Sequence, residues 1–168
     1  RVDIELINEQ VKLFYSDLDE VTIDYDDNSF STMEYVHLGL GSKQKYYPLE
    51  KVVIRFNDNG TYKIESKLLF EPPQYDKKTL FHVYNSSKLL ISKIKNDTPL
   101  NSMENEDLNY LADTFLICYL NGFEEARDQM DLAKNLVKNK YPKIYSSLKE
   151  ALRILRKVKY NWLNVRYP

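Results

Sequence analysis

Hydrophobic spacing divides the chain into three stretches. Ile4, Ile7, Val11 and Phe14 recur at helical intervals, and Asp3 is placed to cap them, so a helix is expected over 1–17. From Val21 the period shortens to two. Val21–Tyr25 alternates apolar and polar residues, and Tyr35–Leu40, Val52–Phe56 and Tyr62–Leu68 are further β-rich runs that read as strands. Asn57-Asp-Asn-Gly60 joins the last two, and an Asn-Gly pair between β-rich runs is a strong hairpin signal because both residues tolerate positive φ. Leu80–Tyr84 and Leu89–Ile94 extend the strand reading across Asn85-Ser-Ser, after a stop at Pro72-Pro73. The expected sheet therefore covers 21–95 as an antiparallel meander of five or six strands.

After Asp97-Thr-Pro99 the helical period returns. Ser102 is a candidate cap, and Leu108, Leu111, Ala112, Phe115, Leu116 and Tyr119 form one stripe that Gly122 ends. Phe123 or Glu124 opens a second helix, with Ala126, Met130, Ala133, Leu136 and Val137 inward. Pro142 stands at the start of a third, whose stripe is Leu148, Ala151, Leu152, Leu155 and Val158. The fold expected is α+β: a single domain over 1–168 with an N-terminal helix, the antiparallel sheet, and three helices over 102–160.

Composition sharpens this. The 168 residues carry 14 Tyr and a net charge of −1, and no apolar run approaches the length of a membrane span. The single cysteine, Cys118, excludes an intrachain disulfide. Charge is unevenly placed: residues 1–34 sum to −8 and residues 131–168 to +8. Such asymmetry fits a charged partner or ends that neutralise one another. The chain starts at Arg1 rather than Met, so a removed upstream segment, an export signal or membrane anchor, is one expectation and a cleaved tag the other. An extracytoplasmic, membrane-anchored location is preferred, with the cytoplasm as the alternative.

Catalytic candidates are sparse, and no enzyme is expected. His37 and His82 are the only histidines, and neither accompanies a nucleophile motif. Cys118 lies in an apolar run and reads as core. Gly39-Leu-Gly-Ser-Lys43 lacks the spacing of a phosphate loop. Asp24, Asp26 and Asn28 start like a calcium loop, but Ser29 stands where glycine is needed and Tyr35 where glutamate is. No metal, cofactor or small-molecule substrate is expected. The last helix offers a basic surface through Lys149, Arg153, Arg156, Lys157 and Lys159, suited to nucleic acid or an anionic membrane. The near-neutral total charge makes nucleic acid the weaker choice.

Tyrosine is the unusual resource. Tyr25, Tyr35, Tyr46 and Tyr47, interleaved with Asp24, Asp26, Asp27 and Glu34, make an acidic, aromatic set fit to dock a basic protein surface. The Tyr-rich meander from Val21 to Ile94, the helical end, the start without Met and a composition favouring AT-rich codons resemble the small immunity proteins of Gram-positive polymorphic toxin systems, the TipC family of streptococcal immunity proteins in particular. That resemblance implies an exported or membrane-anchored inhibitor that binds a cognate secreted toxin. A phage or plasmid inhibitor of a bacterial defence system is the alternative.

Overall fold

The computed structural model describes the backbone of residues 20–166 and the side chains of 22–159. The helix expected over 1–17 lies outside the described residues. The fold is α+β, with one antiparallel sheet followed by helices. Among the described residues the sheet has four strands, β1 (Glu20–Asp24), β2 (Ser29–Leu40), β3 (Lys43–Phe56) and β4 (Tyr62–Leu68), in the order β1-β2-β3-β4. Five helices follow: α1 (Lys77–Lys95), α2 (Ser102–Leu108), α3 (Leu111–Leu120), α4 (Ala126–Val137) and α5 (Pro142–Arg166). The described chain divides into two compact units. One comprises 20–37 with 46–71, the other 38–45 with 72–166.

In the first unit, the register pairs Ile23 with Phe30, Phe56 with Tyr62 and Ile54 with Ile64. Paired residues share a face, so Phe30, Val52 and Ile54 form a buried cluster, with Ile23 and Phe56 packed against it. The Phe30 and Phe56 rings lie 5.8 Å apart. The Asn57–Gly60 turn forms as its residues dictate. Asn57 N–H donates to the Thr61 carbonyl at 2.8 Å, and Gly60 takes φ +83°.

In the second unit, α3 is buried nearly all round. Leu111, Ala112, Phe115, Leu116, Ile117 and Cys118 are all inaccessible, and α1, α4 and α5 pack against it. Tyr84 of α1 meets Phe115 and Phe123 edge-on, with ring centroids 5.9 and 5.4 Å away. Its hydroxyl is buried without a partner, and burial raises its pKa. The tip of the β2–β3 hairpin, 38–45, also belongs to this unit. Its two strands approach so closely that a Cβ on Gly39 would stand 2.1 Å from the Lys43 carbonyl oxygen.

The main departure from expectation is 80–94. It is one helix, not two strands, so the sheet ends at Leu68 and has four described strands rather than five or six. The run is rich in strand formers, yet Leu80, Tyr84, Ser87, Ile91 and Ile94 are buried at helical spacing. Asp76 starts the helix by accepting from Thr79 N–H at 3.0 Å and Thr79 Oγ1 at 2.7 Å. These bonds hold its carboxyl below the usual range. The stripe expected as one helix from Ser102 breaks at Asn109–Tyr110 into α2 and α3. Its cap is Asn101, which forms a reciprocal box with Glu104. Glu104 also binds Lys93, which lowers its pKa, and the Asn101 N–H adds to the effect. Gly122 stops α3 with φ +104°, and Pro142 opens α5, both as expected.

Three substitutions test this packing. Gly39→Ala is expected to cost about 2–3 kcal/mol, because backbone must move. Gly41→Ala, at φ +56° with open space around it, is expected to cost about 1 kcal/mol. Tyr84→Phe removes the orphaned hydroxyl and is expected to raise stability by about 0.5–1 kcal/mol. Urea unfolding of the three variants checks both orders.

Candidate functional site

The acidic turn between β1 and β2 is ordered by its own side chains. Asp24 Oδ1 accepts from the backbone N–H groups of Asp26 and Asp27 at 3.0 and 3.1 Å, which is an Asx-turn. Asn28 takes φ +47°, a conformation asparagine tolerates. Its carbonyl accepts from Phe56 N–H at 2.9 Å, which ties the turn to the end of β3.

Charges on this surface are largely spoken for. Arg55 Nε donates to Asp27 at 3.0 Å, and its guanidinium also binds Glu65, which Lys63 approaches at 3.1 Å. The bond to Asp27, then that to Glu65, raises the Arg55 pKa. Hydrogen bonds from Lys63 and then Arg55 lower that of Glu65. All four side chains are substantially exposed, so the network orients groups more than it stabilises the fold. Of the acids proposed for docking, Asp27 is paired and Asp24 is engaged by its own turn. Asp26 is exposed and pairs with no other described residue, while Glu34 lies half-buried in β2.

The tyrosines sit elsewhere. Tyr46 is 73% exposed and lies flat on His37, with centroids 4.5 Å apart and planes inclined by 21°. Tyr47 is half-buried and edge-on to Phe70. Tyr35 is half-buried in β2. Tyr25 stays with the acidic turn, 60% exposed. Nine residues of extended chain separate Asn28 from His37, about 30 Å at the usual strand rise. The acidic, aromatic set read from the sequence is therefore two surfaces: the turn 24–28 at one end of β2, and the Tyr46–His37 stack toward the other. Tyr62 and Ile64 on β4, each close to half exposed, extend the apolar face to the sheet edge. They were not among the expected docking residues, although the alternation of β4 marks them.

The helical unit holds the remaining candidates. The α5 stripe is buried as expected. Lys149 lies 5.5 Å from the Tyr145 ring centroid, and Arg153 clasps Glu150 through Nε and Nη at 3.0 and 2.7 Å. Arg156 and Lys159 are exposed, and Lys157 is half-buried. His82 is on a helix rather than a strand. It lines a cavity of about 220 Å³ with Ser86, Asp107 and Tyr110, and no hydrogen bond among the described residues joins it to the serine or the aspartate. Burial pushes the Cys118 thiol up to about 12, so it is not nucleophilic. Among the described residues no group of three or more His, Cys, Asp or Glu could hold a metal.

Asp113 is the perturbed acid, and sequence reading passed over it. It stands in the first turn of α3 beneath the hairpin tip. It accepts from Gln44 Nε2 at 2.7 Å and from the Gly39 backbone N–H. Burial raises its pKa to about 6, against the smaller opposing effect of the Gly39 N–H.

A model of the domain family DUF5929, a domain of unknown function, matches residues 1–161, and the chain belongs to that family. No curated protein and no solved structure matches it.

The Asp113 environment has a signature in pH. A carboxyl whose pKa is raised on folding binds its proton more tightly in the native state. Stability therefore falls as pH rises from near 4 to about 6 and is level above. The shift bounds the effect near 3 kcal/mol, and partial exposure reduces it to about 1–2 kcal/mol. Asp113→Asn keeps an acceptor for the Gly39 N–H and removes the titration. Its stability relative to the parent is expected to be highest at pH 7 and to shrink toward pH 4, as read by urea unfolding at a series of pH values.

Proposed function

We propose that this protein is a non-catalytic binding domain, an inhibitor of the immunity-protein kind that neutralises another protein by docking through its sheet. The observation that carries this reading is the Tyr46–His37 stack. A large aromatic ring, mostly exposed, is held flat against a second ring on a rigid strand pair. Tyrosine offers wide amphipathic contact area at low entropic cost, and residues of this type anchor protein interfaces. Tyr62 and Ile64 add apolar area on the same unit, and the 24–28 turn adds the free charge of Asp26. Charge at that distance from the stack steers encounter more than it sets affinity. A cognate toxin with a basic face is the partner this chemistry favours.

The test takes a toxin encoded beside the chain and measures growth of cells expressing both, together with binding by surface plasmon resonance. Tyr46→Ala is expected to weaken binding at least tenfold, chiefly through faster dissociation. Asp26→Asn is expected to slow association several-fold at low salt and to matter little at high salt. A toxin held with unchanged rates by both variants would remove the sheet from the interface.

A further inference from the structure

We propose that a cavity of about 480 Å³ between α2 and the start of α5 binds a small amphipathic monoanion, an aliphatic or aryl carboxylic acid. The size falls within the range of small-molecule sites. Its walls are mainly apolar: Leu108 from α2, Tyr141 from the connection, and Pro142 and Ile144 from α5, with Asn105 and Asn109 as polar neighbours on the α2 side. Two ammonium groups, Lys140 and Lys143, stand among them, and no carboxylate lines the cavity among the described residues.

The cations are available. Lys143 is exposed and makes no ion pair among the described residues. Among the described residues the one ion pair of Lys140 is with Asp97, at 3.7 Å with both side chains largely in water, a contact of little energetic weight. Its Nζ lies 5.8 Å from the Tyr141 ring centroid, which sets the charge at the edge of an aromatic wall. An apolar body on Leu108, Tyr141 and Ile144 would leave a carboxylate within reach of both lysines. A neutral molecule of the same shape would fill the walls and leave the ammonium groups unmatched. This site lies in the helical unit and does not depend on docking through the sheet.

Titration of the full chain with octanoate, followed by the amide resonances of Leu108 and Ile144, tests the assignment. Saturable shifts are expected with Kd on the order of 0.1–1 mM, and octanol is expected to bind at least tenfold more weakly. The double variant Lys140→Gln, Lys143→Gln changes only exposed side chains. It is expected to weaken octanoate at least tenfold and leave octanol unchanged, with an unaltered thermal transition as control. Asn105→Trp, which places an indole at the cavity wall, is expected to abolish the shifts. Octanoate that fails to saturate by about 10 mM, equal affinity for octanol, or a double variant that binds octanoate like the parent would each overturn the proposal.

Discussion

A half-buried carboxyl ties a hairpin tip to the central helix of the helical unit. Asp113 is the point at which residues 38–45 meet α3, through the Gly39 N–H and the Gln44 amide. For that contact to form, the two strands of the tip must lie closer than a side chain permits, and Gly39 supplies the missing Cβ. The arrangement trades stability for placement. An acid in a half-dry site costs energy as long as it is ionised, and a neutral amide would serve as acceptor without that cost. What the acid provides is a defined contact: the Gly39 N–H and the Gln44 amide of the tip both donate to its carboxylate.

Around it, α3 is apolar on nearly every side, as the innermost member of a helical layer must be. The capped, more polar helices take the outer positions, where an Asn101–Glu104 box or an Asp76 cap meets water. The sheet unit is built differently. One face is a small cluster centred on Phe30 and Ile54, and the other carries the Asp27–Arg55–Glu65–Lys63 chain of charges.

Much of the sheet was legible in the sequence, because its β-rich runs and the Asn57–Gly60 turn leave few alternatives. The stops at Gly122 and Pro142 were legible for similar reasons, each following from backbone chemistry at one residue. Residues 80–94 were not. Phe81, Val83, Tyr84 and Ile91 favour strands one by one, and a short apolar run has no period that separates strand from buried helix. Asp76, one residue before the helix, was the available clue. The candidate docking residues were legible as types but not as a place. Proximity in sequence put acids and tyrosines together, while an extended β2 carries them to opposite ends. Arg55, 28 residues downstream, then neutralises Asp27, which no local reading could show. Asp113 was invisible for the same reason, since the groups that bond to it, the Gly39 N–H and the Gln44 amide, lie some seventy positions away.

The hairpin tip also bears on how the chain is made. Gln44 leaves the ribosome some seventy residues before Asp113. At about 5–20 residues per second, the tip spends several seconds with no acceptor for its Gly39 N–H and no helix beneath it. Strand pairing can begin during that interval, but the tip cannot reach its final seat until α3 emerges. Synthesis thus imposes an order: the sheet end of the hairpin first, the seated tip last. A nascent chain stalled before α3 would carry this hairpin with its far end undocked.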